Sequence, residues 1–302
     1  MRLILLVLLL TAFAASAQRE GFKVFGDSLE VYNAFTFSPD GKKLYTSEFT
    51  RITTPEGEPD VERWGDRNRP KVTLYEYDLI EGNPKNKRKL AFANDSLDSS
   101  PHLNFRGDKL YFSSRRPLPG ADSLDGKAHV WFSEKQTNGE WSEANCFEEI
   151  NEAGYYTMYA QELADGSIMY QSNVPGSVKN ESGENSQDFW ISEFKNGTYQ
   201  EPQNVTSLNT GIQEDQLVVN RKNNLIIFTR NNDSEMYAFY SLKVNGVWNE
   251  PKELFLTDLP GFKEQSPRLS PDGQTFYFAH GLLVMSIPLA ELLSEEDIKL
   301  IE

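Results

Sequence analysis

FSPDGKKLYTS (residues 37–47) sets a tight turn between alternating apolar residues, and LSPDGQTFYFA (269–279) repeats it 232 positions later. In Ser38-Pro39-Asp40-Gly41, proline presets φ at the first central position of a type I turn and glycine stands at its last position. Such a turn joins two strands. Aligned on it, the chain contains five copies: FTFSPDGKKLYTSE (35–48), PHLNFRGDKLYFSS (101–114), AQELADGSIMYQSN (160–173), LVVNRKNNLIIFTR (217–230) and PRLSPDGQTFYFAH (267–280). Their starts lie 66, 59, 57 and 50 residues apart. Repeats of this length with several strands each suggest propeller blades.

Each copy is followed by a third strand-like segment: KVTLYEYDL (71–79), AHVWFSEK (128–135), DFWISEFK (188–195), MYAFYSLK (236–243) and LLVMSIP (282–288). After the middle copies, TNGEWSEANCF, KNGTYQEPQNV and VNGVWNEPKEL add a turn and a fourth strand, with Asn-Gly as the hairpin signal. The fifth copy lacks a fourth strand. GFKVFGD (21–27) stands alone before the first copy and would complete the last blade, removing two exposed sheet edges. The fold class expected is all-β: a propeller of four-stranded antiparallel blades, five in number, closed by an N-terminal strand. A sixth, degenerate blade between the first two copies stays open at this point. The final segment, about 289–302, reads as a short amphipathic helical tail.

These units resemble the TolB-like β-propeller repeat of exported bacterial proteins, whose pattern runs roughly S-P-x-[FLW]-S-P-D-G-x-x-[IL]-x-F-x-S. Copies one and five match it closely, copy two well, and copies three and four mainly in the strand after the turn. DFWISEFKNGTYQEP and NGVWNEP are also similar to the family's phrasing. The resemblance covers essentially the whole chain after residue 17. It implies a periplasmic or surface protein that binds other proteins or envelope components, and no catalytic motif of the family is there to carry over.

Composition narrows the partners. Arg2, the apolar run from Leu3, and Ala15-Ser16-Ala17 read as a signal peptide over 1–17, leaving a single propeller domain over 18–302. The expectation is an exported, periplasmic or extracellular protein with no membrane-spanning segment. A formal net charge of −15 argues against nucleic acid, whose phosphates need a basic surface. The single cysteine, Cys146, cannot form an internal disulfide and sits among acidic neighbours. There is no G-x-S-x-G elbow, Walker loop or H-E-x-x-H.

Propeller geometry says where a site could lie. The turns inside each hairpin share one face of the disc. The connections from second to third strand share the other, and there the chain spends its extra length, at 49–70, 115–127 and 174–187. Long insertions on one face suggest recognition, against the alternative of neutral loop growth. Inner strands begin on that long-loop face, where Asp98, Glu214 and Glu264 occupy one repeat position; solvated or turn-capping carboxylates are the plainer account. Glu48, Arg230 and His280 stand where second strands reach the same face. Thr36, His102, Gln161, Val218 and Arg268 share an inner-strand register expected to face the central channel. Trp64, in the first insertion, is a candidate platform for a sugar or peptide.

Two functions follow. The first is a non-enzymatic binding or scaffold protein for a protein or cell-envelope component, using the long-loop face and Glu48, Trp64, Asp98, His102, Glu214, Arg230, Glu264, Arg268 and His280. The second is a propeller enzyme of glycoside hydrolase or lactonase type, with Asp98, Glu214 and Glu264 as acid, base or anchoring groups. No cofactor is expected and no short-spaced metal motif is present; a cation in the channel stays open.

Overall fold

The computed structural model describes residues 23–25, 29, 34–49, 72–94, 97–231, 236–254, 264–280 and 283–302. The expected signal peptide over 1–17 and Trp64 lie outside that set. Five blades of four antiparallel strands follow one another along the chain, the first four paired in sequence order from the inside outward, and Val247–Trp248 adds a short further strand to the fourth. Blade 1 is Phe35–Phe37, Lys43–Phe49, Val72–Ile80 and Asn83–Lys89. Blade 2 is Ser99–Leu103, Lys109–Ser114, His129–Glu134 and Asn145–Cys146. Blade 3 is Thr157–Glu162, Ile168–Ser172, Asp188–Ser192 and Gln203–Asn204. Blade 4 is Gln213–Val219, Leu225–Asn231, Met236–Val244 and Lys252–Leu254. Blade 5 is Glu264–Leu269, Thr275–His280 and Leu283–Pro288, and Lys23–Phe25 adds its outer strand from the far end of the chain.

The structure therefore has five blades, closed as the unpaired N-terminal segment suggested. What the sequence did not announce is blade 1's outer strand, NPKNKRK. It is an exposed edge bearing a proline and four cations, which discourages pairing with another chain.

The turns carry their expected chemistry. Gly41 N donates to Ser38 O at 2.9 Å, and the Asp40 carboxylate accepts from Ser38 Oγ and Lys42 N. In blade 2, Asn104 Oδ1 takes over, accepting from Gly107, Asp108 and Lys109 N. The hairpins at Asn196-Gly197 and Asn245-Gly246 have positive φ at both residues (54° and 82°; 52° and 84°), the left-handed pair that a two-residue hairpin requires.

Each blade buries apolar side chains against the next, so the core is a ring of five interfaces. Tyr45 and Leu74 meet Leu110 and Phe112; Tyr111 and Val130 meet Tyr170 and Trp190; Met169 and Phe189 meet Ile226 and Phe228. Ile227 and Tyr240 meet Phe276 and Ile287, and Phe35 and Leu44 meet Val284 across the closure. Burying one such side chain contributes about 1.5–3 kcal/mol.

A second ring of polar bonds runs closer to the axis. The inner strands of blades 2 to 5 bulge at Ser100, Tyr159, Gln216 and Ser266, all at positive φ, and the ladder register shifts there. Bulged amides fall outside their own ladder, and adjacent blades take up two of them: Tyr159 N donates to Ser113 Oγ at 3.3 Å and Ser266 N to Gln216 Oε1. Leu103 N donates to Thr36 Oγ1 at 3.4 Å. Gln161 both donates to Val219 O and accepts from Val219 N, each at 2.7 Å. Arg268 Nε donates to Phe35 O across the closure. Every blade interface thus has a side-chain-to-main-chain bond near the axis.

The chain ends in two short helices, α1 (Leu289–Leu292) and α2 (Glu295–Ile301), packed on blades 4 and 5. Ser294 caps α2, and Asp297 accepts from Tyr240 OH at 2.7 Å and Lys252 Nζ at 3.1 Å. Among the described residues no helix is long and apolar enough to cross a membrane.

Candidate functional site

The inner-strand register that sequence assigns to the channel borders a cavity there, and Phe37, Leu103, Val219 and Leu269 of the alternate register border it too. Thr36, His102, Gln161, Val218 and Arg268, one from each blade, all border a cavity of about 740 Å³. All five are buried. The cavity opens among the hairpin turns, between Pro39, Phe105, Arg221 and Pro271, and Ile298 and Ile301 of α2 form part of its wall. It is thus at the turn end of the channel, not the long-loop end. Sequence periodicity locates the axis but says nothing of how the channel widens along it, and the tail helices build up the rim on one side only.

The turns also pack on one another around this mouth. Pro271 Cγ lies 4.0 Å from where a Cβ on Gly41 would stand, and Pro39 Cδ 3.1 Å from the equivalent point on Gly107. Glu162, in an otherwise apolar register, is held by Tyr111 OH at 2.7 Å, Arg106 Nη2 at 2.9 Å and Asn104 Nδ2. No sequence signal marked it, because its partners belong to the preceding blade.

At the other end of the inner strands, Asp98 and Glu214 are wholly buried and sit in matching surroundings. Asp98 Oδ2 accepts from Arg116 Nη2 at 2.6 Å and from Asn94 N, four residues upstream, at 2.8 Å. Glu214 accepts from Arg230 Nε at 3.0 Å and from Thr210 N, also four residues upstream, at 3.1 Å. Each arginine then reaches the carbonyl six residues before its acid: Arg116 Nη2 to Phe92 O at 2.7 Å, Arg230 Nη2 to Leu208 O at 3.0 Å. Each also lies over aromatic rings, Arg116 over Phe112 and Trp131, Arg230 over Phe228 and Phe239. The two acids thus serve as latches that hold the connection entering their own blade.

Burial pushes the Glu214 carboxyl up to about 7 despite Thr210 and Arg230, and burial likewise raises Asp98 above the ordinary range although Arg116 opposes it. Blade 3 uses neutral groups at this place, Thr157 Oγ1 and Ser172 Oγ at 3.4 Å. In blade 5 Glu264 and His280 are ladder partners, as Glu214 and Arg230 are in blade 4; their side chains lie outside the described set.

Glu48 belongs to neither group. It accepts from Thr46 Oγ1 at 2.6 Å and Tyr77 OH at 2.7 Å and pairs with Lys87, within blade 1. Arg116 is the residue sequence reasoning missed; its signal was a second cation two places past the strand end, opposite a repeat-position acid. No group of three or more His, Cys, Asp or Glu able to hold a metal occurs among the described residues. Cys146 is half-buried and accepts from Asn151 Nδ2 at 3.3 Å, and burial raises its thiol pKa.

His102 and Arg268 differ from these paired groups. Burial, with Arg268 beside it, pushes the imidazole down to about 3, and burial lowers the guanidinium to about 10, so at neutral pH one is neutral and the other charged.

No protein-family model matches the chain, and no curated protein does. Among solved structures it is similar to TolB from Acinetobacter baumannii, at 16% identity and a TM-score of 0.49 over 85% of this chain and 54% of that one. A TolB from Agrobacterium tumefaciens follows at 16% identity and 0.47, over 83% of this chain and 70% of that one. Two of these neighbours are TolB proteins. A puromycin-hydrolyzing peptidase from Mycobacterium tuberculosis is similar at 11% identity and 0.48, over 85% of this chain and 36% of that one. The chain spans about half the length of the Acinetobacter protein. The likeness is one of fold.

Proposed function

We propose that this propeller is an exported, non-catalytic binding protein that engages a protein or cell-envelope component through its long-loop face. One observation carries the reading: the described carboxylates best placed for acid–base work, Asp98 and Glu214, are each buried in an ion pair with an arginine of their own blade. A general acid or base must reach the atom it protonates or deprotonates. Carboxylates committed to an arginine and a main-chain amide serve architecture first. The segments 115–127 and 174–187 leave the same face, and the second is ordered by its own bonds, with Lys179 pairing across to Asn185. Order in a long loop suits recognition. Export is an expectation of this reading, from the resemblance of residues 1–17 to a signal peptide.

The test is capture from the envelope fraction of the source cell by the full chain, by a variant with 115–127 or 174–187 shortened, and by Glu214→Gln. The reading expects partner retention lost with the loops and kept in Glu214→Gln. Turnover of glycoside or lactone substrates that disappears in Glu214→Gln would replace it with the enzyme reading.

A further inference from the structure

The channel holds a buried cation that pairs with no carboxylate of the described residues. Arg268 lies at the channel wall, 5% exposed, and its hydrogen bonds go to neutral carbonyls: Nε to Phe35 O, Nη1 to Pro267 O at 2.6 Å and to Leu217 O at 3.4 Å. Its Nη2 bonds none of the described residues, and none of their carboxylates pairs with it. Buried charges in proteins are ordinarily paired, because carbonyl dipoles replace hydration but do not neutralise the charge. The half-buried Arg116 and Arg230 have their acids, and Arg268 has none among the described residues.

His102 stands at the same register in blade 2 and borders the same cavity. It is 93% buried by its 7% exposure, and its Nε2 has no hydrogen-bond partner. A buried ring nitrogen without a partner is the second unmet demand at one place. The mouth above adds Arg221 and Lys222. Asp272 also borders the cavity, but its carboxylate already accepts from Ser270 Oγ and Gln274 N in its own turn. Asp272 and Glu302 give the mouth anionic groups as well, but neither of them is paired with Arg268, which stays without a carboxylate among the described residues.

We propose that the turn end of the channel is a carboxylate-binding site, in which Arg268 Nη2 and His102 Nε2–H donate to a carboxylate of a small organic acid or of a free peptide end entering between the turns. A carboxylate fits both demands, since it supplies the missing negative charge and offers two oxygens as acceptors. The apolar part of the wall, Val218, Leu225 and Leu289, suits the aliphatic or peptide body behind such a group. No covalent step is involved.

The experiment titrates three probes into the full chain at low ionic strength: succinate, N-acetyl-glycyl-glycine with a free carboxylate, and the same peptide as its amide. The readout is the ¹⁵N shift of the His102 ring. The site predicts saturable shifts with one or both carboxylates and none with the amide; the tighter of the two names the source. His102→Leu is expected to weaken binding roughly ten- to hundredfold, the loss of one hydrogen bond to a charged group. Arg268→Lys should weaken it as much; because Arg268 also bonds three blades, His102→Leu is the decisive variant. Equal shifts with the amide, no saturable shift, or binding unchanged in a folded His102→Leu protein overturns the proposal. The site is on the turn face, so its failure leaves the long-loop reading standing.

Discussion

Glu214 Oε1 lies 3.0 Å from Arg230 Nε in a place closed to water, and it is the same arrangement that joins Asp98 to Arg116 two blades away. The pairs hold opposite charges together at the cost of dehydrating both. Burial outweighs the pairing at Glu214, whose carboxyl titrates at about 7, against roughly 4.3 in an unfolded chain.

A pH dependence follows. Between those two values the native protein binds more protons than the unfolded chain, so stability falls as pH rises through that window. The loss due to Glu214 is on the order of 3 kcal/mol once pH exceeds the folded pKa. Glu214→Gln stays neutral throughout, so the urea midpoint of the native protein minus that of the variant, followed from pH 4 to 8, should fall as pH increases. A constant difference would contradict the assignment.

Removing the cation is expected to do more harm than removing the pair. Arg116→Met leaves the Asp98 carboxylate buried beside a hydrophobic side chain and frees Phe92 O, a loss of about 3–5 kcal/mol. Asp98→Asn combined with Arg116→Met should recover a substantial part of it. Thermal unfolding of the single and double variants measures the coupling.

Gln161 joins blades 3 and 4 through both ends of its amide. Gln161→Leu fills similar volume but leaves Val219 N–H and C=O without partners, and should lower stability by roughly 2–4 kcal/mol. Hydrogen exchange at the Val219 amide would rise before that of residues on the outer strands.

Gly107 and Gly82 both have φ near 78°, yet their surroundings differ. Alanine at Gly82 meets nothing within 4 Å and carries only the left-handed penalty, about 1–2 kcal/mol. Alanine at Gly107 also collides with Pro39, for roughly 1–2 kcal/mol more. Pro39→Ala in the Gly107→Ala background should remove the second part alone, as read by denaturant midpoints.

Much of this architecture is legible in the chain because it depends on local chemistry. Proline and glycine at Pro39, Gly41, Pro271 and Gly273 declare their turns, and alternation from those turns places Thr36, His102, Gln161, Val218 and Arg268 at the axis, where they are. The rest depends on groups far apart in sequence. Ser100, Tyr159 and Ser266 carry no local mark of a left-handed bulge; the neighbouring blade helps decide it by accepting the amides of Tyr159 and Ser266. Arg116 looks like any exposed loop arginine until folding brings it to a carboxylate 18 positions earlier. The cavity wall made by Ile298 and Ile301 likewise exists only once the tail has docked.

Phe25 and Val284 are partners in one ladder although 259 positions separate them, and the Phe25 ring packs on Tyr277 and Phe37. Joining them closes a loop whose entropy loss is on the order of 5 kcal/mol. Blades 1 to 4 can each assemble from a continuous stretch, but the fifth waits for a segment made first and needed last. The order of synthesis and the order of completion therefore run in opposite senses at this blade, and emergence of Leu283–Pro288 is the moment at which the disc can lock.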